Sequence, residues 1–83
     1  MKEYKQKIVD ALVDRAKTDR IVSLKETARE TGTSRLSSEE AREILTKASK
    51  LTGYRIVKFV NKGYESLFEC GALVDKDIEF ENA

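Results

Sequence analysis

The chain has no histidine, no proline and a single cysteine among its 83 residues. Without histidine, the side chain most often used as general base and metal ligand is missing. Cys70 has no second cysteine to pair with, so an intramolecular disulfide is impossible. A zinc site made by the protein alone would need carboxylates that the sequence does not cluster. Cys70 stands between Glu69 and Gly71 with no basic neighbour, so it reads as a packed, inert thiol rather than a nucleophile. No glycine-rich phosphate loop is present. Catalysis is therefore not expected, nor is a cofactor, a metal or a small-molecule ligand. No apolar run approaches the length of a membrane span, and the start, MKEYKQK, lacks the apolar core of a signal peptide. The expectation is a cytoplasmic protein that does not enter a membrane.

Glutamine occurs once and asparagine twice, while lysine, arginine and glutamate abound. That composition suits a chain kept intact at high temperature, a thermophile signature, although the lack of proline points the other way. A charged fraction of 37% with 40% hydrophobic residues is ordinary for one small folded domain. The formal net charge is only +1. Its distribution is uneven: residues 1–62 carry 15 Lys and Arg against 9 Asp and Glu, a net +6, and residues 63–83 carry 1 against 6, a net −5. One face can thus be basic while the whole is nearly neutral.

Residues 2–18 place Tyr4, Ile8, Leu12 and Ala16 at helical spacing, with Val9, Ala11 and Val13 widening the stripe. Such a stripe either lies across the core or turns its outer edge, Val9 and Val13, towards a second copy. Ile21-Val22-Ser23 suits a short strand. Ser23-Leu24-Lys25-Glu26 has the spacing of a capping box and opens a helix that runs to Thr31 and stops at Gly32. Ser37-Ser38-Glu39-Glu40 is a second such box, with Leu36 placed as a hydrophobic staple. The helix it opens continues to Thr52 and ends at Gly53, burying Ala41, Ile44, Leu45, Ala48 and Leu51. Its opposite side presents Glu39, Arg42, Glu43, Thr46 and Lys50. Tyr54–Val60 and Tyr64–Val74 read as two strands joined by an Asn61-Lys62-Gly63 turn, with Tyr64, Ser66, Phe68, Cys70 and Ala72 on one face of the second. Asp75–Ala83 alternates acids with Ile78 and Phe80, and forms an edge strand, docks on the first helix or stays loose.

The run Glu26-Thr27-Ala28-Arg29-Glu30-Thr31-Gly32-Thr33-Ser34 resembles the first helix and turn of a helix-turn-helix. Ala28 stands where a second helix crosses closely, and Gly32 makes the turn four residues later. The family turn is shorter, since Thr33-Ser34-Arg35-Leu36 intervenes before the next cap. With the hairpin after it, the element order is similar to that of the winged helix-turn-helix superfamily. The resemblance implies an α+β fold of three helices, a small antiparallel sheet and a β-hairpin wing over residues 1–74, followed by an acidic tail at 75–83. It also implies a DNA-binding transcriptional regulator, acting on double-stranded DNA as a homodimer.

A helix fits the DNA major groove with side chains of its first turns at the base edges. On that reading helix 37–52 lies in the groove and hairpin 54–72 is the wing. Arg42 pairs with both acceptors of guanine, and Thr46 meets a thymine methyl or a phosphate. Ser34 and Arg35 precede the helix, where a phosphate or base lies in reach. Lys47 and Lys50 lie further along, towards the backbone. Lys58 and Lys62 act from the wing, and Lys25 and Arg29 anchor the adjacent phosphates. Against this, Glu39 and Glu43 share the reading face and repel phosphate unless one accepts from cytosine or orients Arg42. A winged helix that docks proteins without touching DNA is the alternative, since fold does not fix function.

Overall fold

The computed structural model describes residues 1–59 and 66–79. The chain opens with α1 (Glu3–Arg15), then β1 (Ile21–Ser23), α2 (Leu24–Glu30), α3 (Ser38–Thr52), β2 (Arg55–Lys58), the single turn α4 (Leu67–Cys70) and β3 (Gly71–Val74). Three serines decide where the last three helices begin. Ser23, Ser37 and Ser66 each accept from the backbone amide three residues on, at Glu26, Glu40 and Glu69. That bond satisfies a first-turn donor with no partner inside the helix. At Ser37 the box is closed from both sides, because the Glu40 carboxylate accepts from the Ser37 amide.

Glycines end two of these helices. At the close of α2, Gly32 has φ +97°, its amide donates to Arg29 and the amide of Thr33 donates to Ala28. That pair of bonds is a Schellman stop, which needs the left-handed conformation glycine adopts without strain. Gly53 closes α3 in the same conformation, at φ +76°.

The strands form one antiparallel sheet in the order β1-β3-β2, so the last strand in sequence lies in the middle. Val22 pairs with Leu73 on one side of it, and Ile56 pairs with Leu73 on the other. Ile8, Val9 and Leu12 of α1, Leu24 and Ala28 of α2, and Ile44, Leu45 and Ala48 of α3 meet Leu73 and Phe68 in a single core. Val9 is fully buried there, so of the two outer-edge valines only the half-buried Val13 remains towards the surface. The described residues form a small α+β domain, with helices against a three-stranded antiparallel sheet. None of their helices is long and apolar enough to cross a membrane.

Three expectations are corrected. Of the segment read as one strand from Tyr64 to Val74, the described part, 66–74, is instead a capped helical turn followed by a four-residue strand. Ser66-Leu67-Phe68-Glu69 repeats the serine-to-glutamate spacing of the other two caps, and the Ser66 hydroxyl takes the Glu69 amide. Phe68 therefore enters the core from α4 and not from a strand face. Strand pairing still reaches past β2, since the Phe59 amide donates to the Cys70 carbonyl at 2.9 Å. The Asn61-Lys62-Gly63 turn, Lys62 itself and Tyr64 lie outside the described residues. Second, Leu51, assigned to the buried side of α3, is 61% exposed. Third, Tyr4 leaves the core stripe and turns its hydroxyl to Glu40.

Two contacts hold the far end of the domain. The Tyr54 hydroxyl lies 2.7 Å from the carbonyls of both Ala16 and Asp19, so its one proton serves the close of α1 and the loop after it. Burial raises the pKa of that hydroxyl. After β3 the chain turns back: the Asp75 amide donates to Arg20, the Ile78 amide donates to Asp75, and the Arg55 guanidinium donates to the Ile78 carbonyl. Residues 75–79 thus lie against β1 and β2, neither as a strand nor on α1.

Candidate functional site

The site is built on α3, whose position follows from its two faces. Ala41, Ile44, Leu45 and Ala48 are fully buried, and small residues at two of those four positions let the helix sit close to its neighbours. One flank is sewn to α1 by three polar contacts: Tyr4 donates to Glu40, Lys5 pairs with Glu43 at 3.2 Å, and Lys47 donates to Gln6 at 2.9 Å. The second contact pairs Glu43, the only one of the outward carboxylates so engaged, although its side chain stays 47% exposed. The Tyr4 hydrogen bond, with a second from the Ser37 amide, holds Glu40 below the usual carboxylate pKa. The same bond raises Tyr4, and the Glu43 partner raises Lys5.

What remains outward is a narrow stripe. Glu39, Arg42, Thr46 and Lys50 are exposed, and their side chains make no hydrogen bond or ion pair to any described residue. At 100° per residue they fall within a quarter-turn of one another, opposite the buried side. Ser34 and Arg35 are exposed just before the helix, and Arg29 is exposed in the last turn of α2. None of these three side chains has a partner among the described residues either.

Lys58 emerges on the α3 side of the sheet. It pairs with Gly71, and residues directly opposite in a ladder project to the same face. That face is the one Leu45 covers, since a Cβ at Gly71 would stand 3.0 Å from Leu45 Cδ1. Lys58 is thus an exposed cation on the edge strand of the sheet.

Two of the expected contact residues are already engaged. Lys25 forms an ion pair with Glu69 at 2.5 Å, which ties α2 to α4. Lys47 is half-buried on Gln6. Both partners are about forty residues distant in sequence, and no local spacing announces them. The outward set narrows to Arg29, Ser34, Arg35, Arg42, Thr46, Lys50 and Lys58. A hollow of about 280 Å³ beside the Lys25–Glu69 pair is lined by Ile21, Ser23, Phe59, Cys70 and Ala72, and Cys70 is buried in it. No group of three metal-ligating side chains gathers among the described residues. No protein-family model, curated protein or solved structure matches the chain.

The seam between α1 and α3 gives the domain a pH dependence whose signs are fixed. The lowered pKa of Glu40 means stability present above the ordinary carboxylate value of 4.5 and lost as pH falls through the folded-state value. The raised pKa values of Tyr4 and Lys5 mean stability present below 10.0 and 10.5 and lost as pH rises through theirs. Tyr4 is exposed and Lys5 and Glu40 are partly so, and solvent screening keeps the effects modest. Urea midpoints plotted against pH should fall at both ends, with Glu40→Gln flattening the acid limb and Tyr4→Phe the alkaline one. An acid limb indifferent to Glu40→Gln would remove Glu40 from the account.

Proposed function

We propose that the chain is a winged helix-turn-helix domain that binds double-stranded DNA and regulates transcription, with α3 in the major groove and the β2–β3 ribbon as the wing. The order of elements and the β1-β3-β2 sheet are compatible with that fold, and Ala28 and Gly32 have the spacing of its turn. The observation that carries the proposal is the composition of the outward stripe. Arg42, Thr46 and Lys50 are unengaged, while two of the three carboxylates of α3 are turned to α1. The repulsion expected from Glu43 is thereby reduced. Lys58, on the same side of the sheet, supplies the cation of the wing.

One module of this size contacts few base pairs, so the active species is a homodimer. Leu51, exposed beside Val13, Ala16 and Tyr54, is the apolar surface through which it would form. The same exposed apolar residues, with Ile21 at 48% and Phe59 at 40%, favour the second reading, a winged helix that docks a protein partner.

Fluorescence anisotropy with labelled duplex across a salt series separates the two readings. The logarithm of affinity should fall linearly with the logarithm of salt concentration, with a slope set by the phosphates neutralised. Lys50→Ala and Lys58→Ala should each lower the magnitude of that slope by about 1. Lys25→Ala, whose ammonium is held by Glu69, should leave the slope unchanged. A chain that ignores every duplex at about 50 mM salt is a docking module, and the regulator reading ends there.

A further inference from the structure

We infer that Glu39 is a specificity-determining residue of the α3 surface, imposing a G·C pair next to the one Arg42 reads; the inference rests on the DNA-binding reading above. Of the three carboxylates on α3, Glu40 closes the capping box and takes the Tyr4 hydroxyl, and Glu43 takes the Lys5 ammonium. Glu39 alone is exposed with no partner among the described residues. By helical angle it lies between Arg42 and Lys50, near the middle of the outward stripe and in the first turn of the helix.

A carboxylate in that place faces a polyanion, and since it does not pair with Arg42, a hydrogen-bond donor on a base is what would make its position favourable. The major groove offers two such donors, the amino groups of cytosine and adenine. Adenine sets its N7 lone pair beside its amino group, where it repels a group that can only accept. Cytosine offers its amino group without that neighbouring acceptor, so the ionised side chain selects cytosine. Arg42 stands three positions after Glu39, an advance of about 4.5 Å along the helix axis. Base pairs are spaced about 3.4 Å apart along the duplex, so the two side chains meet neighbouring pairs. With Arg42 on the N7 and O6 acceptors of guanine, the recognised element is two consecutive G·C pairs. Thr46 lies beyond them.

Glu39 thus acts by exclusion as well as attraction. At any other base pair its charge is desolvated without a donor, which lowers affinity for non-cognate duplex. Removing the charge should weaken discrimination while strengthening indiscriminate binding, and a merely structural acid in the first helical turn would do neither.

The full chain and its Glu39→Ala and Glu39→Gln variants should be used to select duplexes from a randomised library. Anisotropy on the enriched and on scrambled sequences then completes the comparison, with circular dichroism to show that each variant is folded. The expected result is an enriched pair of adjacent G·C positions for the unaltered chain. In both variants the preference at one of those positions should fall about ten-fold, and affinity for scrambled duplex should rise. Enrichment of a site without adjacent G·C pairs, or unchanged preferences in both variants, overturns the role of Glu39 while DNA binding itself stands. Absence of salt-sensitive binding to any duplex overturns the DNA-binding reading and this inference with it.

Discussion

Gly71→Ala is expected to lower the stability of the domain by about 3 kcal/mol or more, at the top of the range for overpacking a filled core. The backbone at Gly71 is ordinary, with φ −76°, so the requirement is space and not conformation. A Cβ there would stand 2.3 Å from the Leu67 carbonyl oxygen and 3.0 Å from Leu45 Cδ1. The first of those atoms is backbone and cannot rotate away. For a domain of this size such a loss corresponds to a fall of roughly 10–20 °C in Tm. Gly53→Ala is the matched control. Nothing lies within 4 Å of a Cβ at Gly53, whose need is its φ of +76°, so it should cost about 1–2 kcal/mol. Urea denaturation of both variants checks the contrast, and equal losses would refute the crowding assigned to Gly71.

Arg42→Ala should leave stability nearly untouched and change sequence preference. Its side chain is exposed and bonds to no described residue, so folding loses little beyond a small propensity term. A bidentate arginine–guanine contact discriminates by about 1–3 kcal/mol, roughly five-fold to more than a hundred-fold. Loss of that discrimination, with a far smaller drop on arbitrary duplex, is the expected pattern in competition binding. If the variant chose the same sequences as the parent with the same ratios, α3 would not be reading bases through Arg42.

Much of the architecture can be read from local rules. Ser37 with Glu40, Gly32 and Gly53 mark where helices begin and end, because capping and left-handed stops are decided within four or five residues. Ile21-Val22-Ser23 declares itself as a strand by its β-branched pair. The segment 66–70 does not, because two patterns compete there. Phe68, Cys70 and Ala72 alternate as a strand would, and Ser66 with Glu69 caps as a helix would. One turn is too short to display helical periodicity, and the bulk of Leu45 and Leu67 around Gly71 is invisible before the chain is folded.

The edges of helical stripes are equally illegible. Tyr4 and Leu51 lie at helical spacing with buried residues, yet whether an edge position is covered depends on a neighbouring element that periodicity does not contain. The same limit applies to the candidate site. The stripe of Glu39, Arg42, Thr46 and Lys50 follows from angle alone. Which of the surrounding charges are neutralised follows from Tyr4, Lys5, Gln6 and Glu69, residues remote in sequence.

Placing the latest strand between the two earlier ones has a consequence for how the molecule is made. Among the described residues β1 and β2 are not neighbours in the sheet, and each finds its strand partner along Gly71–Val74. A nascent polypeptide halted before Gly71 would hold two ribbons with nothing to join, and assembly must await a closure spanning some fifty residues between Ile21 and Val74. The β2–β3 pairing closes over fewer than twenty residues and the β1–β3 pairing over about fifty, so β1 is the strand whose place in the sheet costs the longest loop closure.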